Sequence, residues 1–364
     1  MRSILLKLGT LVLAALICTW AVTGRAQDDD FAGVNSVLAS ITLANFPIIL
    51  EKANAGDTSA QTILGIAYKR GVLIPADYKQ ALNWLHKAAD SGSDVAQFEL
   101  GLIYEHGEGV AADPKRALAY YRQASEAGLA RAQFHLAAMY ATGSGVPQDW
   151  VQAAFWMQRA AEQGEVHAQH DLGSMYDHGD GVAKDPEQAM KWYQLAADQG
   201  NARAQSKIGF AYQQGRGVAK DSAQAQTWFK MAAGQDEPSA ETALGVMCLS
   251  GQGMRQDPFA AAEWLRKAAE QGEPGAQWLL GVQYEHGEGV PRDFVESRKW
   301  LSLAASADQS KPEIARRAKQ ELSNVQDQMS RRQIADSEQA IIEWQRAHRG
   351  DEIPKAAGPQ AAKP

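Results

Sequence analysis

The stretch from Ala168 to Gly200 reads AQHDLGSMYDHGDGVAKDPEQAMKWYQLAADQG, and its main features recur along most of the chain. Aspartates recur every 36 residues, at Asp77, Asp113, Asp149, Asp185, Asp221, Asp257 and Asp293. An aromatic row has the same step, with Trp84, Tyr120, Trp156, Trp192, Trp228, Trp264 and Trp300. A second row comprises Tyr68, Tyr104, Tyr140, Tyr176, Tyr212 and Tyr284, with Cys248 at the remaining position. This period predicts seven repeats, over residues 57–92, 93–128, 129–164, 165–200, 201–236, 237–272 and 273–308.

The first half of each repeat is predicted to be a helix. In the second repeat, Ala96, Leu100 and Tyr104 recur at a spacing of four residues, which places them on one helical face. Gly101 lies on the same face, and its missing Cβ would allow a neighbouring helix to approach closely. The repeat therefore buries this face against another helix.

The second half of each repeat is also predicted to be a helix. The glycines of residues 107–110 favour the end of the first helix, because glycine readily adopts the left-handed conformation of a C-terminal cap. Asp113 would cap the next helix, since its carboxylate can accept hydrogen bonds from free backbone N–H groups. The predicted buried stripe of that helix consists of Ala117, Tyr120 and Ala124.

One such hairpin cannot bury its apolar face alone, whereas a stack of hairpins can. The fold class is therefore predicted to be all-α, an α-solenoid with a right-handed superhelix and a concave face. Residues 27–56 are expected to form an N-terminal capping helix or half repeat, and residues 309–349 form C-terminal capping helices. Ser330 and Gln333 have the spacing of a capping box. Residues 350–364 are predicted to be a disordered tail.

Composition and charge exclude several classes of protein. Of the 364 residues, 45% are hydrophobic and 22% are charged, which is typical of a globular protein. The formal net charge of −7 argues against nucleic-acid binding, which normally requires a basic face. The chain has only 2 cysteines, too few for a disulfide-stapled scaffold or a Cys-based zinc site.

The N-terminus resembles an export signal. Arg2 and Lys7 precede an uncharged, mostly apolar run over residues 8–24, and Arg25 and Ala26 follow it. We expect residues 1–26 to be a signal peptide and the protein to be periplasmic or secreted, in a bacterial envelope. The alternative is an uncleaved N-terminal anchor, which would be the chain's only membrane contact.

The repeat resembles the Sel-1-like repeat family, a relative of the tetratricopeptide repeat. The resemblance rests on the string Ala-Gln-x-x-Leu-Gly-x-x-Tyr-x-x-Gly-x-Gly-Val-x-x-Asp-x-x-x-Ala-x-x-Trp-x-x-x-Ala-Ala-x-x-Gly, nearly intact from Ala168 to Gly200. It implies a binding scaffold without catalytic activity or cofactor, and exported bacterial relatives serve as adaptors. The first repeat departs from the pattern at residues 72–74, where the second turn glycine is missing, and the fifth ends in Asp236 instead of glycine.

The sequence contains no catalytic signature that we recognise. The motifs Ser-x-x-Lys, Gly-x-Ser-x-Gly, His-Glu-x-x-His and Gly-Lys-[Ser/Thr] are all absent. His167 and His170 are three residues apart on one helix, so they could share a metal ion if His135 of the preceding repeat helped. Core packing and solvated turns explain the histidines more simply, and we predict no metal site. Cys248 takes a core position and is expected to be buried.

A partner is expected to bind where the first helices line the concave groove. The residues that would face it include large apolar and charged side chains that the repeat core does not require. These predicted partner-binding residues are Phe98, Leu102, Glu105, Phe134, His170, Phe210, Trp278, Val282 and Glu285. The alternative is that a tight superhelix buries these side chains against one another.

The sequence supports three functional hypotheses. The first is a non-enzymatic scaffold of the cell envelope that binds a protein or peptide in its groove. The second is a polysaccharide or peptidoglycan binder that uses Phe98, Phe134 and Trp278 as stacking surfaces. The third is a hydrolase with an unrecognised site near the histidines.

Overall fold

The computed structural model describes residues 36, 38–42, 44–307 and 311–349, and every regular element in these residues is an α-helix. The predicted signal peptide and the predicted C-terminal tail lie outside the described residues. The chain divides into two compact units, which end and begin at Asn201 and Ala202. Each unit is a stack of helical hairpins, as the predicted α-solenoid requires.

Among the residues that the structure describes, unit 1 includes a short helix, α1, and the four hairpins that follow it. Its helices are α1 (Phe46–Asn54), α2 (Thr58–Arg70), α3 (Tyr78–Asp90), α4 (Asp94–His106), α5 (Pro114–Glu126), α6 (Ala130–Thr142), α7 (Trp150–Glu162), α8 (Val166–His178) and α9 (Pro186–Asp198). The even-numbered helices are the first helices of the repeats. Each packs against the second helix of its own repeat and against the helix that precedes it.

The described part of unit 2, residues 202–307 and 311–349, contains three hairpins and two further helices. Its helices are α10 (Ala202–Gln214), α11 (Ser222–Ala233), α12 (Pro238–Ser250), α13 (Pro258–Glu270), α14 (Pro274–His286), α15 (Phe294–Ala305), α16 (Pro312–Gln326) and α17 (Arg331–Arg349). The capping box forms at the start of α17, where the Gln333 N–H donates to Ser330 Oγ and the Ser330 N–H donates to Gln333 Oε1. Further along α17, Trp344 packs against Trp300 and donates from Nε1 to Glu270.

The periodic aspartates cap the second helices, as predicted. Asp185, for example, accepts hydrogen bonds from the backbone N–H groups of Glu187 and Gln188, both at 3.0 Å. The same side-chain cap is present in every repeat, at Asp77, Asp113, Asp149, Asp185, Asp221, Asp257 and Asp293. Gly107 ends α4 with a φ of 72°, the left-handed conformation expected of a glycine cap.

Each hairpin closes where a glycine on the first helix contacts a large side chain on the second. A Cβ on Gly101 would lie 2.4 Å from the Tyr121 ring, so the predicted close approach is confirmed. The same contact recurs in the pairs Gly65–Leu85, Gly173–Tyr193, Gly209–Phe229, Gly245–Leu265 and Gly281–Leu301. The third repeat has Ala137 and Met157 at these positions, and both are buried.

The predicted buried stripe is wrong by one residue at its centre. In α5 the buried side chains include Ala117, Tyr121 and Ala124, whereas Tyr120 is half-buried. Most of the aromatic row that includes Tyr120 is half-buried, although Trp84 and Trp300 are buried. A basic side chain lies over several of these rings, including Lys87 over Trp84 at 4.3 Å. The row therefore lies at the edge of the core, where a ring can keep one face near a charged group.

The second turn glycine is needed because it touches the preceding repeat. A Cβ on Gly181 would lie 1.9 Å from the backbone oxygen of Trp150, at the start of α7. In the first repeat the corresponding residue is Leu73, which has a φ of 64° and is 45% exposed. Thr42, at the same offset, lies ahead of α1 rather than at a helix start.

A glutamine ladder, formed by the residues at position 61 and every 36 residues after it, ties successive helices together. Several members donate from Nε2 to the backbone oxygen eight residues earlier, among them Gln61 to Ala53 at 3.1 Å, Gln133 to Ser125 at 3.1 Å, Gln169 to Ala161 at 3.2 Å and Gln277 to Ala269 at 3.1 Å. Three members accept at Oε1 from a glutamine thirty residues later: Gln133 from Gln163, Gln169 from Gln199 and Gln205 from Gln235. Both kinds of bond join a first helix to the end of a second helix.

Cys248 is buried in α12, as predicted. Its Sγ lies 3.2 Å from the sulfur of Met254. Burial raises the pKa of the Cys248 thiol, which keeps it in the less nucleophilic protonated form.

Candidate functional site

The first-helix face of unit 1 carries five of the predicted partner-binding residues: Phe98, Leu102, Glu105, Phe134 and His170. They lie on α4, α6 and α8, at positions set by the repeat period. Leu102, Glu105, Phe134 and His170 are half-buried, so each retains some accessible surface. We call Leu102, Glu105 and Phe134 the unit 1 surface.

Phe98 does not present an open ring on this face. It is only 4% exposed and packs against the rings of Tyr121 and His135, with centroid distances of 5.7 Å and 5.3 Å. The expected exposure of Phe98 was therefore wrong, because its side chain fills the gap between two neighbouring repeats. For this residue the alternative of mutual burial is correct.

Glu105 is held in place by two polar side chains. Its Oε2 accepts a hydrogen bond from the Tyr121 hydroxyl at 2.5 Å and lies 3.4 Å from His135 Nδ1. The hydrogen bond from His135 lowers the pKa of the Glu105 carboxyl, and the bond from Tyr121 acts in the same direction although burial opposes both. Burial, together with this bond to Glu105, raises the pKa of Tyr121 well above its usual value. The unit 1 surface thus presents an oriented, ionised carboxylate.

Phe134 lies between two histidines. Its ring centroid is 5.6 Å from that of His135 and 6.1 Å from that of His167, which is exposed. His135 thus contacts both Phe134 and Glu105, and an aromatic ring and an oriented carboxylate that share a neighbour suit a partner that offers both apolar and hydrogen-bonding groups. The sequence identified Phe134 and Glu105, but it did not identify Tyr121 and His135 as the residues that position them.

His170 is directed towards its own repeat. Its Nδ1 lies 2.7 Å from Asp171 Oδ1, and its ring centroid is 5.8 Å from that of Tyr193. Its Nε2 is buried without a hydrogen-bond partner among the described residues. Within the described ranges, no three His, Cys, Asp or Glu side chains are grouped so that they could hold a metal ion. The contacts of His170 are thus those of a packed side chain.

Phe210, on α10, packs edge-on against Phe229 of the same hairpin at 4.9 Å between centroids. It is half-buried, and it belongs to the core cluster of its repeat. Its contacts are thus mainly internal to the hairpin.

The remaining predicted residues, Trp278, Val282 and Glu285, lie on α14, and the C-terminal helix α16 packs against this helix. The Arg317 guanidinium on α16 lies 5.4 Å from the centre of the Trp278 ring. Glu285 is 8% exposed, and burial raises the pKa of its carboxyl with a further contribution from Glu321 on α16. The expectation that Glu285 faces an open groove was wrong, since the chain's own capping helix packs against this part of α14.

A second exposed feature lies on the opposite helix of the third repeat. Trp150, Val151 and Phe155 on α7 are 41%, 65% and 49% exposed. The repeat period could have indicated this patch, because other repeats carry polar residues such as Lys79 and Lys191 at equivalent positions. Phe155 is therefore a matched control for Phe134, in the same repeat but on the other helix.

These features define an all-helical repeat protein. The residues that recur every 36 positions form its core, and the varied residues on the first helices remain partly exposed. A sequence model of the Sel1 repeat matches residues 58–93, 94–129, 130–165, 166–201, 202–237, 238–273 and 274–309. The chain belongs to the Sel1 repeat family. The predicted resemblance is therefore confirmed, and so are the seven repeats and the α-solenoid fold class.

Solved structures agree with this assignment. A Sel1 repeat protein from Oxalobacter formigenes is 33% identical, with a TM-score of 0.62 and coverage of 86% of each chain. A protective antigen present in uropathogenic Escherichia coli strains, which displays an SLR fold, is 27% identical. For this antigen the TM-score is 0.55, and the match covers 91% of this chain and 81% of the antigen. No curated protein matches the sequence.

The helices of the described part of the chain are all too short or too polar to span a membrane. The apolar run over residues 8–24 lies outside the described residues. The two readings of the N-terminus, a cleaved signal and a retained anchor, therefore remain predictions.

Proposed function

We propose that the protein is a non-catalytic scaffold that holds a protein or peptide partner on the unit 1 surface. Sel1 repeat proteins generally mediate protein–protein interactions, and the family is generally non-catalytic. We propose the unit 1 surface as the binding site and the bacterial envelope as the location, in addition to this general role of the family.

The observation that carries this proposal is the contrast between Phe134 and its neighbours. Core residues of the third repeat, such as Leu136 and Ala137, are fully buried, whereas Phe134 keeps part of its ring accessible. The Glu105 carboxylate is oriented by two side chains and is ionised. A partner with an apolar side chain for Phe134 and a hydrogen-bond donor for Glu105 would fit both groups.

We also propose that the protein is exported to a bacterial envelope. Support comes only from the basic residues, the apolar run and the Ala26 cleavage position at the N-terminus. Cell fractionation and N-terminal sequencing of the mature protein test this point separately. A chain that keeps residues 1–26 and remains with the membrane would favour the anchor over the signal peptide.

Site-specific photo-crosslinking tests the unit 1 surface. A photoreactive phenylalanine analogue is placed at Phe134 in one variant and at Phe155 in another, and both are expressed in the source cells. Both positions belong to the third repeat and both replace a phenylalanine, but they lie on opposite helices. We expect one discrete protein adduct from position 134 and none of that mass from position 155.

Two results would contradict the proposal. The same adduct from position 155 alone would move the binding surface to α7. Crosslinking of position 134 to cell-wall glycan without protein would favour the polysaccharide hypothesis, in which an aromatic ring acts as a stacking surface.

A further inference from the structure

The glutamine ladder has one acidic member. Glu241, on α12, takes the ladder position of the sixth repeat and is fully buried. Its Oε2 accepts from Gln271 Nε2 at 2.8 Å, as the ladder glutamines accept from residues thirty positions later. The second ladder bond, from the side chain to the backbone oxygen eight residues earlier, cannot form in the same way. A glutamine amide donates this bond, whereas an ionised carboxylate has no proton to donate.

The unmatched atom is Glu241 Oε1. It is buried, and no described residue forms a hydrogen bond with it. In several other repeats, although not at Gln97, the Nε2 of the ladder glutamine donates to the carbonyl oxygen eight residues earlier, which corresponds to Ala233 at the end of α11. Among the described residues, only the backbone N–H of Asp236 donates a hydrogen bond to the Ala233 oxygen. The equivalent Ala161 oxygen accepts both Gly164 N–H and Gln169 Nε2, so a second bond is compatible with this geometry.

The charges around Glu241 come from two elements. Lys267 on α13 favours the ionised carboxylate, while Asp236 and Glu237 in the segment before α12 disfavour it. Burial is the largest influence, and it raises the pKa of the Glu241 carboxyl above its usual value of 4.5. The surroundings therefore favour the neutral acid on grounds independent of the ladder pattern.

We propose that Glu241 is a proton-dependent tie between the fifth and sixth repeats, in which the protonated carboxyl donates from Oε1 to the Ala233 carbonyl oxygen. The proton comes from solvent and returns to it. The neutral acid then reproduces both bonds of a ladder glutamine, one given to α11 and one received from Gln271. The ionised form keeps only the second bond and leaves Oε1 buried without a donor.

The direction of the pH effect follows from proton linkage. Because the folded state holds this proton more tightly than the unfolded chain, the contribution of Glu241 to stability is complete below the unfolded pKa of 4.5. It declines as the pH rises through the higher pKa of the folded state. Mild acid thus strengthens this junction, which is the opposite of the usual effect of acid on a surface carboxylate.

The test compares full-length wild type, Glu241→Gln and Gln169→Glu. Gln169 makes both ladder bonds, to Ala161 and from Gln199, so its acidic variant recreates the Glu241 arrangement in unit 1. Urea unfolding midpoints are measured from about pH 5 to about pH 8. We expect the wild-type midpoint to fall as pH rises, a smaller fall for Glu241→Gln and a larger fall for Gln169→Glu.

A local and a spectroscopic readout make the result specific. Backbone amides from Asp236 to Glu241 should lose exchange protection at the higher pH in the wild type but not in Glu241→Gln. At the lowest pH of the series, the infrared spectrum of the wild type minus that of Glu241→Gln should contain the carbonyl band of a protonated carboxylic acid. Equal pH profiles for wild type and Glu241→Gln, or the absence of this band, would overturn the proposal.

Discussion

The contact between Gly245 and Leu265 gives the sharpest test of how each repeat is closed. A Cβ built on Gly245 would lie 2.6 Å from Leu265 Cγ and 2.8 Å from its Cδ2, where ordinary contacts begin near 3.4 Å. Leu265 is fully buried, and the crowded atom is its branch point rather than a free end. In Gly245→Ala the leucine side chain or the helix must move by several tenths of an ångström or more in a packed core.

Two effects decide the magnitude. Alanine is favoured over glycine in a helix interior by about 1 kcal/mol. Overpacking of a core costs about 1–3 kcal/mol. The cost here should lie at the upper end of that range, because the added Cβ would lie well inside ordinary contact distance of Leu265. We therefore expect Gly245→Ala to destabilise the protein by about 1–2 kcal/mol, measured by urea unfolding with circular dichroism. Hydrogen exchange of α12 amides would assign the loss to this hairpin if the repeats unfold in steps.

The third repeat suggests a compensating change. It has Ala137 and Met157 where the sixth repeat has Gly245 and Leu265. Methionine is unbranched and adapts to irregular space, so Leu265→Met should reduce the cost of alanine at position 245 by about 1 kcal/mol in a double-mutant cycle. Unchanged or increased stability of Gly245→Ala, or strict additivity in the cycle, would refute this account of hairpin closure.

Three further predictions concern a cap, a turn and a titration. Asp185→Ala removes a helix cap and should cost about 1 kcal/mol in thermal unfolding, without loss of partner binding. Leu73→Gly should stabilise the protein by up to about 1 kcal/mol. The left-handed leucine is strained by about 1–2 kcal/mol, and the greater conformational entropy of glycine in the unfolded chain cancels part of the gain from relieving that strain. A lower melting temperature would contradict this prediction. The lowered pKa of Glu105 means that its pairing with His135 and Tyr121 stabilises the fold above pH 4.5 and that this contribution is lost as pH falls through the folded pKa. Glu105→Gln should therefore weaken the acid dependence of unfolding, and an unchanged acid limb would argue against the pairing.

Most of the fold was predictable because residues close together in the sequence determine where each helix of a repeat begins and ends. The aspartate caps, the glycine that ends each first helix and the capping box at Ser330 are set by neighbouring residues. The close approach at Gly101 was predictable for the same reason, since a missing Cβ on an apolar helix face leaves room for a ring from the adjacent helix. Periodicity also placed Cys248 in the core.

The exposure of individual site residues was less predictable. Sequence spacing identifies a helix face, but it does not fix how far the next helix covers that face. Phe98 is enclosed by Tyr121 and His135, and Glu285 is covered on the side of α16, although the same pattern leaves Phe134 partly open. The buried residue at the centre of the stripe is Tyr121 instead of Tyr120. Successive side chains on a helix point about 100° apart, so an error of one residue in the predicted face changes which side chain is buried.

The most direct test of the proposed binding surface is the affinity of the crosslinked partner, once purified, for Phe134→Ala and Phe155→Ala. Loss of an aromatic anchor at the centre of an interface costs about 2 kcal/mol or more, which corresponds to about a 30-fold weaker Kd. We predict a loss of that size for Phe134→Ala and a Kd close to wild type for Phe155→Ala, measured by titration calorimetry. Equal affinities for wild type and Phe134→Ala, or a large loss confined to Phe155→Ala, would contradict the assignment of the partner to the unit 1 surface.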